Sequence, residues 1–151
     1  MDLKDYIESI PGFPKEGIIF RDVTPILQNA KAMRYCVDQL NAFVKEVGAD
    51  IIVAPEARGF LFGVPVALES GIGFIPVRKP GKLPRETVNE SYDLEYGQDE
   101  LCVHADAILP EQKVVIVDDL LATGGTVEAI IKMVERMQAS VTGVAFVIEL
   151  D

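Results

Sequence analysis

The sequence predicts an α/β protein built on a central, mostly parallel sheet flanked by helices, and three observations carry that reading. Short apolar runs at residues 51–54, 74–78, 114–118 and 141–150 alternate with helix-length stretches at 30–47, 60–70 and 126–137. That alternation lays parallel strands side by side with helices on both faces. The run Val114-Val115-Ile116-Val117 is continuous and β-branched, as a strand buried on both sides is. It ends in two acids, Asp118 and Asp119, followed by the small polar turn Ala122-Thr123-Gly124-Gly125-Thr126, which opens the next helical stretch.

The remaining elements follow in chain order. Leu3, Tyr6, Ile7 and Ile10 share one helical face, so a short helix is expected over residues 2–10. Pro11-Gly12-Phe13-Pro14 stops it. Residues 17–20 read as extended, and Thr24-Pro25 as a helix start. Met33, Val37, Leu40, Val44 and Val47 form an apolar stripe along residues 30–47, and Gly48 suits the end of that helix. The helix at 60–70 is expected despite Pro65. No internal repeat, low-complexity tract or linker interrupts the chain. With 151 residues, one domain with a single core is expected.

Composition narrows the function classes. A chain with 49% hydrophobic and 25% charged residues has the make-up of a soluble globular protein. No stretch approaches the roughly 20 apolar residues of a membrane span. The opening MDLKDYIESI lacks the blocks of a secretion signal, so a cytoplasmic protein is expected. Cys36 and Cys102 stand in apolar stretches without metal-ligand spacing, and read as buried free thiols of a reducing compartment. The net charge of −10 argues against a nucleic-acid surface. It also means that any bound anion must be met by a local gathering of bases.

Two segments answer that need. Ligands of open α/β sheets collect outside the carboxyl ends of the strands. Gly124 and Gly125 let several N–H groups aim at one anion, Thr123 and Thr126 add hydroxyls, and the helix that follows offers its positive end. Asp118 and Asp119 suit ribose hydroxyls or a bridging Mg²⁺, so the whole reads as a sugar-phosphate site. A plain βα turn with a threonine cap would explain the turn, but not two carboxylates at a buried strand end. The other segment is 79–100, KPGKLPRETVNESYDLEYGQDE, with no long periodic pattern. Arg78, Lys79, Lys82 and Arg85 are four of the chain's 14 bases, and they point to a lid over a polyanion. Ala54-Pro55-Glu56-Ala57-Arg58-Gly59 is a further strand-to-helix turn with a guanidinium for an anion.

These pieces closely resemble the adenine phosphoribosyltransferases among the type I phosphoribosyltransferases. The resemblance rests on FPKEGIIFRDVTP (13–25), PEARGFLFG (55–63), VRKPGKLPRETVNESYDLEYG (77–97) and VVIVDDLLATGGT (114–126). It implies the type I fold, with residues 1–25 as a hood that binds the base and 79–100 as a flexible lid. It further implies transfer of a phosphoribosyl group from 5-phosphoribosyl 1-pyrophosphate to adenine, with Mg²⁺ carried mainly by the substrate, in a homodimer. Asp118 and Asp119 would hold the ribose; Ala122, Thr123, Gly124, Gly125 and Thr126 the 5′-phosphate. Ala57, Arg58, Arg78, Lys79 and Lys82 would meet pyrophosphate. Phe20 and Leu120 would sandwich adenine, while the backbone of Ile19 and Arg21 reads its amino edge. Glu95 would serve as acid/base near N7, and Tyr96 would cover the closed site. A non-proline cis peptide is expected in the Glu56-Ala57-Arg58 turn. Family members usually continue past a strand like 141–150, so the stop at Asp151 reads either as a truncation or as a naturally short end.

Two rivals share the fold: a 6-oxopurine transferase and a non-catalytic purine regulator that binds phosphoribosyl pyrophosphate. The 13–25 segment favours adenine, while the charge and the complete Leu94-Glu95-Tyr96-Gly97 lid favour an enzyme. His104, the sole histidine, belongs to none of the four segments and reads as a strand-edge residue. Tyr92 reads as packing.

Overall fold

A computed structural model describes residues 1–94, 96–121 and 124–149, with backbone alone at 121 and 149. The chain forms two compact units, Met1–Leu40 and Asn41–Asp151.

In the first unit the expected helix over residues 2–10 is not formed. A 3-10 turn, Leu3–Tyr6, is capped by Asp2, whose carboxylate accepts the Lys4 N–H at 3.0 Å. Strand β1 (Glu8–Pro11) follows and pairs antiparallel with β2 (Ile19–Asp22), from Glu8↔Asp22 to Pro11↔Ile19. The apolar spacing that suggested a helix is weak against this pairing, because β-branched Ile7 and Ile10 suit extended backbone. Between the strands Phe13–Pro14 is cis, and the Gly12 N–H reaches the Ile18 carbonyl at 2.7 Å. Helix α1 (Thr24–Gln28) carries Pro25 in its first turn, where a missing N–H costs nothing. The Asn29 side chain accepts the Ala32 N–H at 3.0 Å and caps α2 (Ala30–Glu46). Ala32, Cys36, Val37, Leu40 and Val44 are buried along α2, close to the predicted stripe. Gly48 ends it with φ +67, a conformation that glycine adopts without a Cβ penalty.

The second unit alternates strand and helix as expected. It contains β3 (Ile51–Pro55), α3 (Arg58–Ser70), β4 (Gly73–Val77), β5 (Thr87–Asp93), β6 (Gln98–His104), β7 (Lys113–Leu121), α4 (Gly125–Arg136) and β8 (Ser140–Glu149). The order β4-β3-β7-β8 makes one parallel sheet, with Ile51↔Val114 and Val53↔Ile116 in register at its centre. Side chains alternate across it. Val53, Ile75, Val114 and Ile116 join Ala129, Ile130, Met133 and Val134 of α4 in one core cluster with Leu101 and Val103. Helix α3 approaches closely at Gly63. A Cβ there would lie 2.7 Å from the Phe74 ring and 3.0 Å from the Ala54 Cβ.

Segment 79–100 is not a loop throughout. It holds most of an antiparallel hairpin, β5 against β6, in register from Thr87↔His104 to Asp93↔Gln98. The hairpin is stitched to the end of β4 by Arg78 and Cys102, which exchange backbone hydrogen bonds at 2.9 and 2.7 Å. Its β5 sequence, TVNESYD, has too few apolar residues to announce a strand. Both cysteines are free and buried, and burial pushes the Cys36 thiol up to about 11. Among the described residues no helix is long and apolar enough to cross a membrane.

Candidate active site

The sheet order decides where a ligand can sit. From β3 the chain passes through α3 to β4, and from β7 through α4 to β8 on the opposite side. The connections therefore diverge above the carboxyl ends of β3 and β7, the switch point at which open sheets bind ligands. A cavity of about 170 Å³ lies there. Its walls are Pro55, Glu56 and Arg58 after β3, Asp118, Asp119 and Leu120 of β7, Thr126 of α4, Lys79 after β4, and Tyr92 and Leu101 of the hairpin. A larger hollow of about 300 Å³ separates the hairpin from α4. It lacks the strand-end carboxylates, which line the smaller cavity.

The two aspartates differ in their partners. Asp119 is only 5% exposed, and the Nε of Arg58 stands 2.9 Å from its Oδ2. The Asp118 Oδ1 accepts the Asp119 N–H at 2.8 Å. Burial, and then the Asp119 carboxyl beside it, push Asp118 up to about 7 against the opposing pull of that N–H and of Arg58. Gly59 leaves Asp118 its room: a Cβ at that position would stand 3.1 Å from Oδ1. The peptide between Glu56 and Ala57 is cis, as the resemblance implied.

At the turn after β7, Gly124 (φ +80) precedes α4, and its carbonyl accepts the Glu128 N–H at 3.0 Å. Gly125 and Thr126 form the first turn of α4, and the positive end of that helix's dipole suits an anion. Ala122, Thr123 and Glu95 lie outside the described residues.

The bases are gathered, each on a carboxylate. Glu56, its side chain 12% exposed, accepts the Lys79 N–H at 2.7 Å and the Arg78 Nε at 3.3 Å on Oε1. Its Oε2 accepts the Lys82 Nζ at 2.6 Å. Burial works to raise the Glu56 pKa, but the hydrogen bonds from Lys82 and the Lys79 N–H, with the nearby charges, hold it below the ordinary value. The Lys79 ammonium donates to Asp99 and, at 3.0 Å, to the Tyr92 hydroxyl. Although burial opposes it, those bonds raise the Lys79 pKa, and the Lys79 bond lowers that of Asp99. Arg85 stands apart, bound to Asp106 at 2.6 and 2.8 Å and lying 3.1 Å from the His104 Nδ1.

The structure thus brings Arg58, Lys79, Asp118, Asp119, Leu120 and Thr126 around one cavity, with Arg78 and Lys82 joined to it through Glu56. Tyr96 is 85% exposed and lines none of it. In the first unit Ile19, Phe20 and Arg21 lie on β2. Phe20 packs edge-on against Phe13 at 5.3 Å, and Arg21 donates to the Ser9 hydroxyl. His104 ends β6, the strand-edge place expected. Sequence reasoning missed Glu56 and Asp99 and read Tyr92 as packing. The clustered bases were the available signal, since they required nearby counter-charges.

Residues 24–150 match the phosphoribosyl transferase domain family, and the chain belongs to it. The match begins within the first unit and runs through the second. Several solved structures are similar over nearly the whole chain. The adenine phosphoribosyltransferase of Thermoanaerobacter pseudethanolicus is 54% identical, with a TM-score of 0.94 over 97% of this chain and 86% of its own. That of Rhodothermus marinus is 47% identical, with a TM-score of 0.92 over 98% and 84%. The Saccharomyces cerevisiae enzyme, solved with adenine and an imino-altritol bisphosphate, is 42% identical, with a TM-score of 0.95 over 99% and 87%. Within the family, the chain falls among the adenine phosphoribosyltransferases.

Proposed function

We propose that this chain transfers the phosphoribosyl group of 5-phosphoribosyl 1-pyrophosphate to adenine, forming AMP and pyrophosphate in purine salvage. The observation that carries the reading is the cavity at the β3/β7 switch point, where Asp118, Asp119 and Thr126 face Arg58 and Lys79. One wall suits a ribose 5-phosphate and the other its leaving pyrophosphate.

The reaction is charge management. As the anomeric C–O bond to pyrophosphate lengthens, the ribose becomes cation-like and the leaving group gathers negative charge. Asp118 and Asp119 hold the ribose hydroxyls and favour the developing positive charge. The turn 122–126 binds the 5′-phosphate, with Ala122 and Thr123 assigned to it together with Gly124, Gly125 and Thr126. Arg58 and the backbone at Ala57, with Arg78, Lys79 and Lys82, take the pyrophosphate. Phe20 and Leu120 stack on the base, and the backbone of Ile19 and Arg21 reads its amino edge. Glu95 exchanges the proton near N7, and Tyr96 covers the site when the 79–100 lid shuts, excluding water as a rival nucleophile.

Mg²⁺ fits this donor set as a substrate-borne ion. The paired Asp118 and Asp119 offer carboxylate oxygens to a hard divalent cation and leave most positions to substrate and water oxygens. Bound in that way, it would neutralise the pyrophosphate. The working unit is a homodimer in the cytoplasm. Leu61, Val64 and Leu68 expose an apolar stripe along α3, at 45%, 47% and 82%, that a second copy would cover. The test is AMP formation from adenine, phosphoribosyl pyrophosphate and Mg²⁺, with hypoxanthine, guanine and xanthine in parallel. Turnover with adenine alone is expected. A preference for a 6-oxopurine, or no turnover with any base, would refute the assignment.

A further inference from the structure

Glu56 is a carboxylate in the wall assigned to an anion, and the chemistry above gives it no task. Its place is nonetheless tightly built. The Glu56 N–H donates to the Val77 carbonyl at 3.0 Å, and its side chain is 12% exposed. Two carboxylate oxygens collect three donors: the Lys79 N–H at 2.7 Å, the Arg78 Nε at 3.3 Å and the Lys82 Nζ at 2.6 Å. A phosphoryl group would call on the same donors. We propose that Glu56 is a resident counter-ion that holds Arg78, Lys79 and Lys82 in place in the empty site and competes with pyrophosphate for them, so that product release is eased.

The inference rests on the pyrophosphate site proposed above and adds a competitor to it. A tethered carboxylate returns to the ammonium whenever the product loosens, because its effective concentration is that of an intramolecular partner. While pyrophosphate is bound, a like charge stands beside it and lowers its affinity. The Lys82 side chain is 47% exposed, so the competition is modest and screened. Glu56→Gln keeps one carbonyl oxygen for the Lys79 N–H and removes the charge.

The experiment is calorimetric titration of the whole chain with magnesium pyrophosphate, for the wild type, Glu56→Gln, Lys82→Ala and the double variant. Glu56→Gln should bind about three- to fivefold more tightly, and in the Lys82→Ala background the gain should shrink to less than about twofold. A merely structural role predicts weaker binding instead. Equal or weaker binding by folded Glu56→Gln, or the same gain without Lys82, would overturn the proposal. If Glu56→Gln does not fold, Glu56→Asp draws the carboxylate back by one methylene. A smaller tightening then supports the competition, and unchanged or weaker binding sinks it. A wild type that binds no pyrophosphate would instead refute the site assignment on which the proposal stands.

Discussion

Replacing Asp118 with Asn should stabilise the substrate-free protein while crippling it. The Asp118 carboxyl moves from an ordinary 3.8 to about 7, driven first by burial and then by its neighbour Asp119. At about 1.4 kcal/mol per pH unit, that rise corresponds to a ceiling of roughly 4 kcal/mol. Proton sharing within the pair and local relaxation reduce it, so about 1–3 kcal/mol is expected. The sign follows from proton counting. Between the unfolded and folded values the folded chain holds more proton, so stability falls as pH rises from about 4 to 7 and stays lowered above that window. Asn has no such proton, and its Oδ1 still accepts the Asp119 N–H now bonded at 2.8 Å. Urea unfolding without substrate from pH 4.5 to 8.5 is the assay. Asp118→Asn should be the more stable protein at pH 8, and the gap should narrow as pH falls toward 4. AMP synthesis should drop about ten- to hundredfold, because the carboxylate proposed to hold the ribose hydroxyls is lost. A variant less stable than wild type at pH 8, or one with the same pH slope, would refute the reasoning.

Lys82→Ala should raise the KM for phosphoribosyl pyrophosphate about three- to tenfold; unchanged KM and kcat in steady-state assays would make Lys82 a solvated surface residue. Gly63→Ala should cost about 1–3 kcal/mol in urea unfolding, since its Cβ would sit 2.7 Å from Phe74 and 3.0 Å from Ala54. Unaltered stability would mean that α3 can back away from the sheet. Leu68→Asp on the exposed stripe of α3 should convert the proposed dimer to monomer in gel filtration. An unchanged elution volume would remove that face from the interface.

The parts legible in the sequence were those whose signal is local. The β7 run from Val114 to Val117 is buried throughout, so it reads as a strand without help, and the two acids and glycines after it mark the site. Helix α2 was legible because Val37, Leu40 and Val44 repeat at helical spacing. The hairpin was not, because β5 alternates half-buried and exposed residues, nearly all of them polar. Strand β1 was misread because a stripe of four residues near the terminus says less than pairing with β2 does. Glu56 escaped notice for a different reason. Its partners Arg78 and Lys82 lie 22 and 26 residues away, and nothing within PEARGF announces them. Lys79 appeared as an open charge for the same reason: Asp99, which holds it, is 20 residues further on.

The hairpin tip lends itself to optical spectroscopy. Gly97, at φ +86, turns the chain there, and its carbonyl accepts the Leu94 N–H at 2.9 Å. The neighbouring ring, Tyr96, stands 85% in water. The chain has four tyrosines and no tryptophan, so Tyr96→Trp would introduce a single indole against a dark background. Its emission should lie to the red in the free protein and move to the blue when substrate draws the tip into cover. In a stopped-flow instrument that colour change would clock the proposed closing of the lid directly, apart from bond making at the ribose.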